Sequence, residues 1–514
     1  MNKIVFIMFT AISFATVGFA QIPHVVSTSP TQNELNVSYS ASISVTFDVD
    51  MDQTTINNGT FVVNARSTGL HQGVITYDGP SKTATLDPTD DFDIGEVVTV
   101  VLTTAIRSSG GSPLANGYSW SFTIIVNNGS GTFAAHTDYA AGEYAWSIFA
   151  ADLDGDADID LATANANSYN SSILLNYGNG TFAPQSTYPV GNDPWSVYNA
   201  DLDGDGDLDL ITANMSVDNV SVLRNNGNGS FAAQSTYPVG TTPIRAIACD
   251  LDCDGDLDLA TANMGSDNVS VLRNNGNGSF AAQSTYAVGD GSGPVSVFAA
   301  DLDGDGDLDL AVSNYFSDNI SVIFNNGNGT FGSYTQYPAG DLPMNVIAAD
   351  LDGDGDLDLA TANTYTNDVS VFMNNGNGTF ASHLVYAVGD GPWSVFACDL
   401  DGDGDLDLAT GNEFTNDISI LLNNGNGTFA THSDYPSGEA PISVFAADLD
   451  HDGDLDLASA NYLSDNVSVL MNQGVPLVPT LSEWGMLIMV LLLLATGTVT
   501  VISRRRKIAD NSIR

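Results

Sequence analysis

Three observations predict an all-β protein whose larger part is a seven-bladed β-propeller. First, the string Asp-Leu-Asp-Gly-Asp-Gly-Asp-Leu-Asp-Leu at 201–210 returns in close copies beginning at Asp152, Asp250, Asp301, Asp350, Asp399 and Asp448, at intervals of 49 residues and once 51. Self-similarity at that period marks a repeat architecture. Second, each unit reads as four short strands, the number in one propeller blade. Third, the two ends of the array are out of phase. The fourth-strand motif Gly131-Thr132-Phe133 precedes the first Asp-rich string, and the last unit stops after its third strand, Asn466 to Met471. A strand near 131–140 therefore completes the final blade and closes the ring. A linear stack would need capping repeats with polar outer faces, and none is visible.

The unit beginning at Gly391 shows the strands in order. Trp393 to Cys398 is apolar enough for an inner strand, and an Asp-rich loop follows directly. Leu406 to Thr410 comes next, then Asp417 to Leu422, which alternates in strand fashion. The Asn-Asn-Gly-Asn-Gly turn at 423–427 leads into Thr428 to Tyr435. Asn-Gly pairs favour hairpins because both residues tolerate positive φ.

The Asp-rich loops carry the chemistry. Their carboxylates are Asp152, Asp154, Asp156, Asp158 and Asp160; Asp201, Asp203, Asp205, Asp207 and Asp209; Asp250, Asp252, Asp254, Asp256 and Asp258; Asp301, Asp303, Asp305, Asp307 and Asp309; Asp350, Asp352, Asp354, Asp356 and Asp358; Asp399, Asp401, Asp403, Asp405 and Asp407; and Asp448, Asp450, Asp452, Asp454 and Asp456. Five carboxylates within nine residues repel one another unless a cation sits among them. Hard oxygen ligands on a Gly-bent loop suit Ca²⁺, so about seven ions are expected, one per loop. An EF-hand does not fit, because Thr163, Thr212 and Thr361 stand where its bidentate Glu belongs. Solvated acidic turns would not demand Asp at alternating places seven times over. The ions are expected to be structural, cancelling repulsion within each loop.

Composition narrows the function. The chain has 514 residues, with 62 acidic against 12 basic ones and a formal charge of −50. More than half of the acidic residues are the loop Asp, and such a surface excludes nucleic-acid binding. Residues 1–20 read as a secretory signal: Lys3, an apolar stretch from Ile4 to Val17, then Gly18-Phe19-Ala20 before the cleavage point. Cys249, Cys253 and Cys398 form no disulfide framework. Cys249 and Cys398 stand where other units carry Ala and read as small core residues, while Cys253 replaces a loop Gly incidentally.

Residues 21–126 lie outside the repeat. Short β-type runs such as Ile43 to Phe47, Phe61 to Val63 and Val97 to Leu102 alternate with turns. With Ser29-Pro30, Val45-Thr46-Phe47 followed by Met51-Asp52, and Tyr118-Ser119-Trp120-Ser121-Phe122, the region resembles bacterial Ig-like domains. The resemblance implies a β-sandwich acting as a spacer, with Trp120 in its core.

Residues 127–474, with their Asp loops and blade pattern, resemble the FG-GAP and VCBS-type repeats of calcium-binding propellers, including the head of integrin α chains. The resemblance implies that the first, third, fifth and ninth side chains bind the ion, as Asp350, Asp352, Asp354 and Asp358 would, with Asp356 lending its carbonyl. Gly355 permits the bend, while Ala157 replaces that Gly in the first loop and weakens its site. Cys253 and His451, at the fourth position, should point away from the ion. The Phe-Gly pair occurs only at Phe331-Gly332, which favours the VCBS-type branch.

The tail follows. Val478 to Gly485, within a linker and motif at 475–485, is similar to the IPTL-type sorting signal of Gram-negative surface proteins. An apolar run at 486–503 is long enough for a transmembrane helix, and the basic segment 504–514 belongs in the cytoplasm. Two readings stay open: recognition and cleavage by a membrane sorting enzyme, or a plain membrane anchor. With the secretory signal, either implies export by the Sec route to the cell surface or outer membrane, and cleavage leaves release after C-terminal processing open.

Catalytic residues are not expected. His136, His383 and His432 share one position on the outer strand and read as solvent-facing. The face opposite the calcium loops would carry Trp146, Trp195 and Trp393, with Arg245, Met344 and Asn345 nearby. Trp there would stack on sugar rings or anchor a protein partner. Ile244, Val295, Met344 and Ile442 hold the same place in other units, which is also the pattern of a buried position. The resulting reading is a surface calcium-binding protein that adheres to an extracellular protein or glycan ligand. A polysaccharide-active lyase or hydrolase, and an architectural surface-layer component, are the alternatives.

Overall fold

The computed structural model describes residues 21–127 and 129–474. The expected leader 1–20, sorting motif 475–485, transmembrane run 486–503 and basic tail 504–514 lie outside the described residues. Among the described residues no helix is long and apolar enough to cross a membrane. Regular structure there is strand, apart from two single-turn 3-10 helices, Gln53–Thr55 and Met215–Val217.

The N-terminal domain consists of two sheets. One orders Val25–Ser29, Ile43–Phe47, Thr83–Pro88 and Gly73–Asp78; the other orders Glu34–Val37, Tyr118–Ile124, Val97–Leu102, Phe61–Ala65 and Gly69–Leu70. Alternate residues of Ile43–Phe47 are buried, the period-two pattern of a strand with one face on a core. Trp120 is among the largest fully buried side chains, with the Phe61 ring 6.3 Å away, so it belongs to this core.

Seven four-stranded antiparallel sheets follow, consistent with a β-propeller. Sheet one holds Ala145–Ala151, Asp160–Asn165, Asn170–Leu174 and Ser186–Pro189, and the next five repeat this order. Sheet seven combines Pro441–Ala447, Asp456–Asn461 and Asn466–Leu470 with Thr137–Ala140, which pairs Tyr139 with Val467. The first strand of each sheet touches that of the next, and the first strand of sheet seven touches that of sheet one. Every second strand, such as Asp358–Asn363, is buried along its whole length. Its Ala and Thr side chains are small enough for flanking sheets to close on both faces.

Side chains lock each sheet to its neighbour. Tyr139 meets Phe182 edge to face at 5.1 Å and donates its hydroxyl to the Gly180 carbonyl at 3.2 Å. The pair recurs around the ring to Tyr435 and Phe133, 5.2 Å apart. Asn225 Nδ2 donates to Leu153 O of the preceding Asp loop at 2.8 Å, and Asn472 makes the same bond to Leu400 O at 2.9 Å.

Two local expectations need correction. The fourth strand of the sixth sheet is Ser433–Pro436, shorter than Thr428 to Tyr435. Thr428 Oγ1 donates to Asn426 Oδ1 at 2.6 Å and keeps the chain in its turn, so only an isolated bridge joins Asn423 to Phe429. His383 and His432 are half-buried rather than free in solvent. Their Nδ1 atoms lie 2.9 Å from Pro338 O and 2.8 Å from Ala387 O, tying neighbouring sheets together.

The N-terminal domain is a cap rather than a spacer. It sits on the sheet ends that carry the Asp loops and meets all seven. Ser67 O accepts from Asp152 N at 3.0 Å, Gly69 packs on Leu208, and Gly117 packs on Cys253. Gln32 Nε2 donates to Asp301 Oδ2 at 2.5 Å, and Asn33 and Asn36 donate to the carbonyls of Gly355 and Gly404 at 2.9 and 3.0 Å. Gly95 packs on Leu455 of the seventh loop. Cys253 is therefore not incidental: it is buried against Val62 and Val101 of the cap. All three cysteines are free.

Candidate metal centres

Each Asp loop is folded around its own first carboxylate. Asp350 Oδ1 accepts the Gly353 N–H at 2.8 Å, and its Oδ2 accepts that of Gly355 at 3.0 Å. The turn holds Gly355 at φ +92°, a region open to Gly at little cost. Ala157 occupies the same place in loop one at φ +71°, so that loop carries backbone strain of about 1 kcal/mol. Cys253 and His451 are also left-handed, at φ +54° and +60°.

The fold brings selected carboxylates together. Asp152, Asp154 and Asp160 offer oxygens within 4.8 Å of one another, as do Asp301, Asp303 and Asp309, and Asp350, Asp352 and Asp358. In loops two and three the group is Asp201, Asp203 and Asp205, and Asp250, Asp252 and Asp254. Thus the first and third positions recur, with the fifth or ninth completing the set. The seventh carboxylate points elsewhere. Asp356 lies under the Asn-Gly turn, where a Cβ on Gly376 would come 2.6 Å from its oxygen. His451 Nε2 lies 2.8 Å from Asp158 Oδ1 of the first loop, directed away from its own cluster.

Whether a cation fits is decided by the third position. Asp154, Asp203, Asp252, Asp303 and Asp450 each keep an Oδ1 shut from solvent with no hydrogen-bond partner. A buried carboxylate oxygen left unsatisfied costs free energy, and a hard cation is the group that would satisfy it. The ninth carboxylates agree. Burial, opposed by backbone N–H donors, pushes Asp160, Asp258, Asp309, Asp407 and Asp456 up to about 8, and Asp209 and Asp358 up to about 7. Each resists ionising in its buried place beside the other carboxylates of its own loop unless positive charge joins them. The residues present therefore fit a hard cation such as Ca²⁺ held by Asp side chains.

Two contacts lay beyond the sequence reading. Arg224 Nη1 pairs with Asp209 and lies 3.6 Å from Asp203 Oδ2. Arg273 Nη1 pairs with Asp252 and lies 3.3 Å from Asp258 Oδ2. The available signal was that Leu175, Phe324, Met373, Leu422 and Met471 hold this place in the other units.

The face away from the cap presents aromatic groups. At its centre Trp146 stacks on Trp195 at 4.0 Å and meets Trp393 edge to face at 5.2 Å. Trp195 and Trp393 pack with Ile244, Val295 and Met344, so these Trp rings are half-buried and hold one another. Asn345 is buried within the ring, its Oδ1 accepting the Val395 N–H at 3.0 Å. Around the Trp cluster, turns between second and third strands expose Tyr365 (74%), Phe414 (65%) and Phe316 (58%), with Tyr169 and Leu463 also exposed.

Comparison with known proteins matches this architecture. The FG-GAP-like repeat model matches residues 158–212, 201–261, 250–312, 310–361, 350–410 and 399–459, more than half of the chain. The chain belongs to the FG-GAP-like repeat family. Ahead of these FG-GAP-like repeats, the bacterial Ig-like domain model matches 20–124, and after them the IPTL-CTERM motif matches 478–506. Repeats and motif together suggest an exported protein processed at the cell surface. No curated protein matches the chain. Among solved structures the chain is similar to the BBS1N–ARL6DN complex (12% identity, 69% of this chain and 99% of that chain, TM-score 0.49). It is also similar to virginiamycin B lyase from Staphylococcus aureus (13%, 66% and 99%, TM-score 0.47) and to an Agrocybe aegerita lectin (20%, 80% and 99%, TM-score 0.39). These likenesses carry no argument about activity.

Proposed function

We propose that this protein is an exported, surface-held calcium-binding adhesin, in which the seven sheets are the blades of a closed propeller and the uncapped face takes an extracellular protein or carbohydrate. One observation carries the reading: the Ig-like domain covers the loops of all seven sheets, while the opposite face exposes Tyr365, Phe414 and Phe316 around a Trp centre. Exposed aromatic groups on a rigid ring suit stacking on sugars or anchoring a protein. Ca²⁺ is structural, about seven ions, and binding only the folded state stabilises it by mass action. The leader takes the chain through the Sec route, and the C-terminal motif is read by a membrane sorting enzyme.

The role is binding rather than turnover, because the exposed groups are spread around a ring instead of converging as catalytic groups do. The test is binding of the purified chain, with Ca²⁺, to glycan and extracellular-protein arrays, beside Tyr365→Ala and Phe414→Ala. Saturable binding lost in these variants, with unfolding unchanged, supports adhesion. Sugar turnover would instead make the chain a polysaccharide-active enzyme, and ordered self-assembly without ligand would make it a surface-layer component.

A further inference from the structure

A cavity of about 270 Å³ lies on the ring axis, between the underside of the Ig-like cap and the level of Ser147, Asn345, Ser394 and Ser443 on the first strands. At this level the side chains link neighbouring sheets. Ser147 Oγ accepts Val197 N at 3.3 Å, Ser196 Oγ accepts Ala246 N at 3.1 Å, and Ser443 Oγ accepts Ile148 N at 3.3 Å. Arg245 stands where a third Ser would continue the series, and a guanidinium has no acceptor to offer. The ring gives up a bond there and gains a cation.

That cation is unpaired. Between residues 21 and 503 the chain has only six basic residues: Arg66, Lys82, Arg107, Arg224, Arg245 and Arg273. Two of them, Arg66 from the cap and Arg245 from sheet three, line this one cavity. Neither side chain has a carboxylate within ion-pair distance or a hydrogen-bond acceptor among the described residues, in a protein of net charge −50. Arg66 lies over the Phe396 ring at 5.7 Å. Burial and the nearby Arg66 pull Arg245 down to about 10, and both guanidiniums act on the Tyr198 hydroxyl. Ser394 Oγ, at the level of Arg245, is buried without a partner. The wall also carries the Phe149, Phe396 and Phe445 rings, with Phe445 4.8 Å from Phe149 and 4.7 Å from Phe396. Asp93, Glu96, Asp201, Asp250, Asp301 and Asp350 line it as well, none within ion-pair distance of either guanidinium.

We propose that this axial cavity binds a small organic carboxylate, its oxygens taken by Arg245 and Arg66 and its apolar body set against the Phe149, Phe396 and Phe445 rings. Two unpaired guanidiniums in a low-dielectric space need an anion. The aromatic wall selects an organic acid over an inorganic oxyanion, whose whole surface would demand hydrogen bonds.

The test uses the purified full chain with Ca²⁺ and benzoate as the probe, with acetate as a second carboxylate and sulfate as the inorganic comparison. Binding is read by calorimetry and by the unfolding temperature. Refolding in benzoate is included, so that slow entry past cap and Trp cluster is not mistaken for no site. Arg245→Ser installs the residue that sheets one, two, four, six and seven use at this level, so it should fold and match or exceed the wild type in stability without ligand. It should weaken benzoate binding by about tenfold or more. Arg66→Met, which keeps the packing on Phe396, should do the same, and Tyr365→Ala on the outer face should not. No response of the wild type to benzoate or acetate, a response to sulfate alone, or undiminished benzoate binding by Arg245→Ser and Arg66→Met would each overturn the proposal.

Discussion

Arg273 reaches back to Asp258, Nη1 to Oδ2 3.3 Å, and pairs with Asp252 as well, so a guanidinium stands against the third and ninth carboxylates of loop three. Arg224 does the same against Asp203 and Asp209 in loop two. In these two loops the side chain supplies part of the positive charge that the proposed ion would supply.

Sites two and three should therefore bind Ca²⁺ more weakly than the others. Replacing Arg273 by Leu, the type at Leu422, removes the competing cation and should raise affinity at site three about tenfold, given the charge separation and partial screening. Calcium titration of Arg224→Leu and Arg273→Leu, each against the wild type, checks this. Unchanged affinity in both would show that the guanidiniums do not compete.

The cap makes a second prediction. A Cβ on Gly117 would come 1.9 Å from Cys253 Cβ, closer than any packing allows. Gly117→Ala should lift the cap from sheet three and cost about 1–3 kcal/mol, with new protease cleavage near residue 127. Cys253→Gly removes the opposing atom and relieves a positive-φ residue, so the double variant should recover. Failure to recover would mean the clash is not the cause.

Ring closure makes a third. Tyr139→Ala removes the edge-to-face contact with Phe182 and the bond to Gly180 O, both joining sheet seven to sheet one. A loss of about 3 kcal/mol in denaturant unfolding is expected. A loss under about 1 kcal/mol would contradict a role for this junction in holding the ring shut.

The raised ninth carboxylates set the pH dependence of the calcium-free protein. A carboxyl whose folded value lies near 8 binds its proton more tightly folded than unfolded. Its contribution is fully present below the ordinary carboxylate range and is lost as pH rises through about 8. With chelator, stability should fall from pH 5 to pH 8. With excess Ca²⁺ the trend should reverse, because the ion needs the ionised form. A chelated protein that grows more stable over this range would contradict the burial of these groups.

The repeated part of this fold was legible because its determinants are local. Asp350 to Asp358 build a loop by hydrogen bonds within five residues, and the strand at 131–140 announced closure by its phase. What escaped was carried by contacts between distant segments. Nothing near Gly117 names Cys253 as its neighbour, and nothing near Arg66 places it over Phe396. The Trp cluster was half legible: its variable place in the repeat was visible, but not that Trp146 would meet both Trp195 and Trp393. His383 reads as solvent-facing in the sequence because the carbonyl it meets, Pro338 O, belongs to the previous sheet.

The most direct test of the central claim is calorimetric counting of Ca²⁺ bound by the purified chain, with thermal unfolding in excess Ca²⁺ and in chelator. About seven ions, two of them weaker, and a large drop in unfolding temperature on chelation are predicted. No bound ions, or the same unfolding temperature in chelator, would contradict the account and leave the Asp loops as acidic turns.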